Sequence, residues 1–144
     1  MKLEALQAVS YGLVSSPPFQ AVTVSALDFE GTLARLKQRI EAMDLWLIHE
    51  INPQMLLERG GYAIAPARQL PFFHARYAAR LLEADPAAVV EIPLKLIVLQ
   101  MPDGSVTVRH ADVLAQFGRY AGMDALAREL AELSRQLMAS VSPV

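Results

Sequence analysis

Five polar residues near the ends of predicted strands are the candidates for chemistry in this chain: Glu50, His74, Arg109, His110 and Asp112. Imidazole and carboxylate groups can transfer protons, and a guanidinium can hold an anionic group through paired hydrogen bonds. Because loops at strand ends often supply the polar groups of ligand pockets, we expect one cleft lined by His74, His110 and Asp112, with Arg109 or Glu50 at its rim. This cleft would suit a small polar or anionic ligand. The alternative is that these side chains are scattered and solvated.

The spacing of the three histidines predicts no metal site. No two of them are four residues apart, the chain has no H-E-x-x-H sequence, and cysteine is absent. His110 and Asp112 would share one face of an extended strand, which supplies half of a ligand set at most. No phosphate-binding loop follows Gly60-Gly61, and no nucleophile elbow surrounds Ser105. We therefore expect no cofactor and no nucleotide.

Glu91 is a further acidic candidate, because it precedes Pro93 at the start of an apolar strand. An acid at the mouth of a buried strand can be functional when its pKa is shifted. The simpler interpretation is a helix cap or an ion pair with Arg109.

Charge and composition narrow the possible partners. The formal net charge of −2 offers no basic field for a nucleic-acid backbone. No apolar run approaches the roughly 18–20 residues that cross a bilayer, so we expect no membrane insertion. The absence of cysteine fits a reducing compartment, and we expect a cytoplasmic protein. The apolar share of 53% is explained by a well-packed core or by an oligomer interface, and we expect a homodimer.

Apolar periodicity predicts the elements that must position these residues. Strands are predicted over residues 21–26, 45–51 and 69–73, and a hairpin turns at Pro102-Asp103-Gly104. A helix is predicted over residues 28–43, where Asp28 is a suitable N-cap and apolar residues follow at helical spacing: Phe29, Leu33, Leu36, Ile40 and Met43.

Three further helices complete the pattern. They are predicted from Pro53 to Glu58, over residues 75–84, and from residue 124 onwards. Strands and helices together predict an α+β fold of two layers, with a mixed β-sheet, helices packed on it and a C-terminal helix. Residues 1–18, with helical spacing at Leu3, Leu6 and Val9, are interpreted as an N-terminal appendage, and residues 19–144 as a single domain.

From residue 21 to about residue 112 the chain resembles the DUF302 family, small bacterial and archaeal proteins of undescribed function. The matching segments are AVTVSALDFEGTLARLKQRIEAM, LWLIHEIN and EIPLKLIVLQMPDGSVTV. The resemblance implies a two-layer α+β fold, often seen as a homodimer, and no established activity. Three polar positions depart from the family pattern: Pro53 replaces a histidine, Phe73-His74-Ala75 replaces a glycine-asparagine-proline turn, and His110-Ala111-Asp112-Val113 replaces tyrosine-asparagine-aspartate-proline. Any pocket chemistry that the family shares would therefore be lost or altered in this chain.

These observations favour a homodimeric binding protein for a small polar or anionic ligand. One alternative is a small enzyme with an acid–base site around His74, His110, Asp112 and Glu50. Another alternative is a structural module for protein–protein interaction. An enclosed pocket that contains two of these residues favours a ligand or a substrate, whereas a flat apolar patch without a pocket favours a protein partner.

Overall fold

The computed structural model describes residues 5–13 and 15–143 of the 144-residue chain. The strands of this part are β1 (Gln7–Ala8), β2 (Gln20–Val24), β3 (Trp46–Leu47), β4 (Tyr62–Ala63), β5 (Ala67–Phe73), β6 (Leu94–Gln100) and β7 (Val106–Ala111). The helices are α1 (Phe29–Ala42), α2 (Pro53–Arg59), α3 (Ala75–Ala84), α4 (Val113–Gly118) and α5 (Asp124–Ala139), and a 3₁₀-helix covers Pro86–Glu91. Within the described ranges, no helix has the length and apolar content needed to cross a bilayer.

Five of the strands form one sheet in the spatial order β2-β7-β6-β5-β3, and every neighbouring pair is antiparallel. The two-residue strands β1 and β4 form a separate parallel pair. The predicted α+β fold with helices packed on a sheet and a C-terminal helix is confirmed. The sequence predicts a mixed sheet, but the large sheet is antiparallel throughout. Parallel pairing occurs between β1 and β4, outside the large sheet.

The core lies between one face of the large sheet and helices α1 and α5. Alternation along β6 buries Leu94, Leu96 and Val98 while Lys95 stays exposed, so one side of the strand faces the helices. The register places Val108 of β7 directly opposite Val98, which extends the buried face across the hairpin. The helices complete this core with two groups of apolar side chains: Phe29, Leu33, Leu36 and Ile40 from α1, and Leu126, Leu130 and Leu137 from α5.

Helix α1 begins at the N-cap that the sequence predicts. The carboxylate of Asp28 accepts a hydrogen bond from the N–H of Gly31 at 2.8 Å, which satisfies one backbone donor of the first turn. The buried hydroxyl of Thr32 donates to the backbone carbonyl of Asp28 at 2.7 Å. These bonds determine where the helix starts, whereas the spacing of its apolar residues determines which side meets the sheet, and the predicted stripe is buried from Phe29 to Ile40.

The predicted strand over residues 45–51 is wrong in its length. Strand β3 contains only Trp46 and Leu47, and a single isolated bridge joins Ile51 to Gln69 further along. The reason lies in the neighbouring strand. The N–H of Ile48 donates to the carbonyl of Pro71 at 2.9 Å, but proline has no N–H to donate in return, so the ladder cannot continue through this position.

The N-terminal segment contains a short strand where the sequence shows helical spacing. Gln7 and Ala8 form β1 and pair with β4, and the hydroxyl of Tyr11 donates to the backbone carbonyl of Gln100 at 2.6 Å. Leu3 lies outside the described residues. The hydrogen bonds therefore attach residues 7–11 to the domain, while the predicted boundary at residue 18 stays a prediction.

The buried face of α1 can be tested with two neighbouring residues. Leu36→Ala is expected to lower the free energy of unfolding by about 2–5 kcal/mol, because Leu36 is fully buried and its truncation leaves a cavity. Lys37→Ala is the control and should cost about 1 kcal/mol or less, because Lys37 is 41% exposed and forms a surface ion pair with Glu50. Urea denaturation followed by circular dichroism measures both changes. Equal, mild effects would contradict the assigned face.

Candidate functional site

The hydrogen-bonded ladder between the central strands β6 and β7 stops before either strand ends. Its register terminates where Ile97 lies opposite Arg109. Beyond that pair, β6 remains beside β5 and β7 remains beside β2, so the two strands separate from each other. The next hydrogen-bonded pair, Lys95 with Ala111, is not formed. The sheet is therefore divided at this end, and we call the opening between residues 94–96 of β6 and 110–111 of β7 the strand gap.

A pocket of about 260 Å³ opens at the strand gap. This volume is near the lower end of the roughly 300–1,000 Å³ that small-molecule sites occupy. Its apolar wall is formed by Phe19, Pro93, Leu94, Ile97 and Val113. Its polar groups come from β2, β6, β7, α4 and α5: Gln20, Lys95, Arg109, His110, Gln116 and Ser134.

Arg109 has hydrogen-bonding capacity that the described residues do not use. Its Nη1 donates to the backbone carbonyl of Ser15 and to Oε1 of Gln20, both over a long 3.4 Å. Its Nε is buried and has no hydrogen-bond partner among the described residues. No carboxylate in that part of the chain lies within 4.0 Å of Arg109 or Lys95. Because a buried donor without a partner costs about 1–3 kcal/mol, an anion that reached this guanidinium would be stabilised.

His110 lines two neighbouring depressions. One is the pocket at the strand gap, and the other has a volume of about 410 Å³ and also includes Asp112. Burial lowers the pKa of His110, against smaller opposing effects of the Ala111 carbonyl and of Asp112, so the ring is neutral at pH 7. Its Nδ1 lies 2.7 Å from the Ala111 carbonyl. Since a carbonyl only accepts, Nδ1 carries the proton and Nε2 is left as an acceptor.

The structure gives Asp112 a different position from the one the sequence predicts. Strand β7 ends at Ala111, so Asp112 does not share a strand face with His110. Instead, the Asp112 carboxylate caps α4 and accepts a hydrogen bond from the N–H of Ala115 at 3.2 Å. The physical reason is that a short polar side chain at a helix start satisfies a backbone donor that otherwise has no partner.

His74 and Glu50 line neither of the two depressions. His74 caps α3, where its Nδ1 accepts a hydrogen bond from the N–H of Arg76 at 3.1 Å, and its ring centroid lies 4.4 Å from that of Trp46. Glu50 forms ion pairs with Lys37 and Arg68. Both side chains are therefore engaged elsewhere in the fold.

The single predicted cleft is not formed as one space. The register aligns Leu70 of β5 with Leu96 of β6, so two strand spacings and four residues separate His74 from His110. At about 4.8 Å per strand and 3.3 Å per residue, their Cα atoms are about 16 Å apart, which exceeds a small-ligand pocket. The structure brings Arg109 and His110 together at the strand gap, places Asp112 beside His110 in the second depression, and separates His74 and Glu50 from these three. Ligand binding by any of the five residues stays a prediction.

The ion pair with Arg109, one of the two simpler interpretations of Glu91, is wrong. A carboxylate oxygen of Glu91 accepts from the hydroxyl of Tyr120 at 2.6 Å and from Nη2 of Arg119 at 3.3 Å. The Tyr120 hydrogen bond is the main cause that lowers the pKa of Glu91, and Gln116 and Arg119 act in the same direction. These contacts join the start of the hairpin to the end of α4, which is one side of the pocket.

Sequence reasoning missed four polar residues of the pocket, which are Gln20, Lys95, Gln116 and Ser134. The sequence does indicate the orientation of Lys95, because a charged residue between two buried leucines must lie on the other face of its strand. The sequence contains no such indication for Gln116, since its position depends on the direction in which α4 leaves β7. Within residues 5–13 and 15–143, no three side chains of the metal-binding types are grouped closely enough to hold a metal ion.

Comparison with known proteins gives a family and a fold. The model of the family described as "Domain of unknown function DUF302" matches residues 20–142. A similar solved structure is the crystal structure of an uncharacterized conserved protein DUF302 from Bacillus stearothermophilus, with a TM-score of 0.80 and 16% sequence identity. The similarity covers 87% of this chain and 99% of that one. At this identity the likeness shows the fold alone. Comparison with curated proteins gives no match.

The contact between Glu91 and Tyr120 predicts a pH-dependent effect on stability. A carboxyl group whose pKa is lowered in the folded state stabilises the fold above its unfolded pKa of about 4.3, and this stabilisation is lost as the pH falls through the folded pKa. Tyr120→Phe should therefore lower the thermal midpoint more at pH 7 than at pH 3, because pH 3 lies below the unfolded pKa, where this stabilisation is being lost. Calorimetry at both pH values measures the difference, and an equal loss at both would indicate that the hydrogen bond to the carboxylate does not contribute.

Proposed function

The chain belongs to the DUF302 family, and for this member we propose that the strand gap binds a small polar or anionic ligand. The observation that supports this proposal is the guanidinium of Arg109, whose buried Nε has no partner among the described residues and which lines a pocket. Native proteins seldom leave a buried donor unpaired, so this group supports a partner that the described residues do not supply.

The surroundings of Arg109 support an anion as that partner. Lys95 is on the same face of the sheet, because the register places Arg109 opposite Ile97 and Lys95 is two residues from Ile97. Both cations line the pocket, together with the amide side chains of Gln20 and Gln116. A small anion would receive charge-assisted hydrogen bonds from the cations and neutral ones from the amides.

The enzyme alternative receives less support from the geometry. Only two of its four residues, His110 and Asp112, share a depression, whereas His74 caps α3 and Glu50 is paired with Lys37 and Arg68. General acid–base catalysis needs titratable groups that converge on one reacting position. Binding is therefore the function that this arrangement favours.

A second proposal is that the protein forms a homodimer, and a different observation supports it. Five large apolar side chains of β3, of the residue after it and of α2 are between 37% and 52% exposed: Trp46, Leu47, Ile48, Met55 and Leu56. We call this set the β3–α2 patch. Strand β3 is an edge of the sheet, and α2 packs on the neighbouring β5. An exposed edge strand that carries apolar side chains is a ready pairing site for another chain, and symmetric dimers are the most common assembly.

Ligand binding at the strand gap can be tested with small anions of different chemistry. Acetate, hexanoate and inorganic phosphate are titrated in turn, and ¹H–¹⁵N NMR spectra record the amide shifts. At least one of the three should shift the amides of residues 94–96 and 110–111. Arg109→Gln should weaken that binding by about tenfold or more, because it removes a charged hydrogen-bonding partner.

The matched control for this experiment is Arg128→Gln, which removes an exposed arginine of α5 that does not line the pocket. This variant should bind as the unaltered protein does. If none of the three anions shifts the amides at the strand gap, the binding proposal is wrong.

The homodimer can be tested by light scattering at micromolar concentration, where the mass should be about twice the 15.8 kDa of one chain. Ile48→Lys should give a monomer, because it places a charge in the β3–α2 patch. Val90→Lys is the control, since Val90 is 81% exposed and lies outside the patch. Trp46 is the only tryptophan, so its emission should shift to the blue as the dimer forms. A mass of one chain that persists at high concentration would contradict the proposal.

A further inference from the structure

The pocket at the strand gap is asymmetric in its chemistry. The two cations Lys95 and Arg109 lie on the face of the sheet that is turned away from the α1–α5 core. Apolar side chains supply a large part of the remaining wall, among them Phe19, Leu94 and Val113. A ligand that fills the pocket must therefore place a charged group at one side and apolar surface against the other. A fully polar anion would leave the apolar wall without a contact.

The interrupted ladder adds backbone donors to the charged side. Hydrogen-bonded pairs recur at every second residue along β6 and β7, and one is observed where the N–H of Met101 donates to the carbonyl of Ser105 at 2.7 Å. From Met101 and Ser105, every second residue along each strand belongs to such a pair, so Ile97 pairs with Arg109 and Lys95 would pair with Ala111. The pair of Lys95 with Ala111 is the one that is not formed. The backbone groups of Lys95 and Ala111 are therefore turned toward the gap.

One of these backbone groups already has a partner within the chain. The carbonyl of Ala111 accepts a hydrogen bond from Nδ1 of His110. The N–H of Ala111 lies on the side of the pair that is not formed, so it faces the gap as a hydrogen-bond donor. In an uninterrupted ladder the carbonyl of Lys95 would accept a hydrogen bond from the N–H of Ala111. A carboxylate oxygen of a ligand can accept that hydrogen bond instead. Its second oxygen then remains available to the guanidinium of Arg109, which suits a planar, two-oxygen acceptor.

The surroundings limit the negative charge that the site can accept. Asp112 lies next to His110 and caps α4, so the N-terminus of that helix already has an anionic partner. Glu91 is held near Pro93 and Gln116, and its pKa is lowered, so it is negatively charged at pH 7. His110 is neutral and adds no positive charge. Arg119 offsets the charge of Glu91, so Asp112 is the nearby anion that favours a single negative charge over a dianion such as phosphate.

We infer that the strand gap takes a monocarboxylate that carries a short apolar chain or ring. The carboxylate binds between Arg109, Lys95 and the N–H of Ala111, and the apolar part lies against Phe19, Leu94 and Val113. This inference rests on the binding function proposed above and specifies its ligand class. The ligand would bind at the point where the ladder between β6 and β7 is interrupted.

The experiment compares four probes on the unaltered protein by ¹H–¹⁵N NMR titration: hexanoate, acetate, hexan-1-ol and inorganic phosphate. Hexanoate should bind at least about tenfold more tightly than acetate, because each buried CH₂ contributes about 0.8 kcal/mol, a factor of about four in affinity. Hexan-1-ol has the chain without the charge, and phosphate has the charge without the chain, so both should bind more weakly than hexanoate. The amide of Ala111 should shift with the two carboxylates and not with the alcohol.

Two variants separate the two parts of the site. Phe19→Ser should weaken hexanoate and leave acetate unchanged, because Phe19 belongs to the apolar wall and is 65% exposed, so its loss does not disturb the core. Lys95→Gln should weaken both carboxylates, and as a substitution of an exposed residue it also serves where Arg109→Gln alters folding. Thermal midpoints from circular dichroism identify any variant that is unfolded.

The outcomes distinguish this inference from the binding function on which it rests. Tighter binding of phosphate than of hexanoate would overturn the ligand class and leave anion binding at the strand gap intact. Equal binding of acetate and hexanoate would remove the apolar part of the inference. Failure of every anion to shift the amides of the gap would overturn both proposals together. Hexanoate binding that is weakened by Lys95→Gln and by Phe19→Ser supports the inference.

Discussion

Burial of the helix-facing side of the β6–β7 hairpin is the constraint on which the rest of this structure depends. Leu96, Val98 and Val108 are fully buried at the centre of the sheet, and α1 and α5 pack over them. Each such side chain contributes about 1.5–3 kcal/mol when it leaves water. The alternation that buries these residues also requires Lys95 and Arg109 to lie on the opposite face. The position of the cations is therefore a consequence of the core.

The separation of β6 from β7 follows from the partners that each strand has on its other side. Strand β6 stays with β5 as far as Leu94, and β7 stays with β2 as far as Ala111. Beyond Ala111 the chain enters α4, which is anchored by the cap at Asp112 and is joined to Glu91 through Tyr120. The strand gap is thus held open by contacts on both of its sides, and it does not depend on a flexible loop.

Polar residues that directly precede helices have mainly structural roles in this fold. Asp28, Asn52, His74, Asp85 and Asp112 each accept a backbone N–H at the start of the helix that follows. A helix start has unpaired N–H groups, so a polar side chain at this position is explained without any ligand. Arg109 is different, because it lies within a strand and its Nε is buried without a partner among the described residues. This difference is the reason to place ligand binding at Arg109 and not at the caps.

The sequence by itself determined α1, α2, α3, α5 and the hairpin, together with the face that α1 buries, but not α4, β1 or β4. The stripe of α1, the cap at Asp28, the bounds of α3 and the hairpin are all predictable, because periodicity and capping act between residues close in the chain. Only the tertiary structure decided the rest. The length of β3 depends on Pro71 in another strand, the partner of Glu91 is Tyr120 on a later helix, and the strand gap exists because β6 and β7 pair with different neighbours. Each of these features joins residues that are far apart in the chain, and local spacing contains no information about which of them will meet.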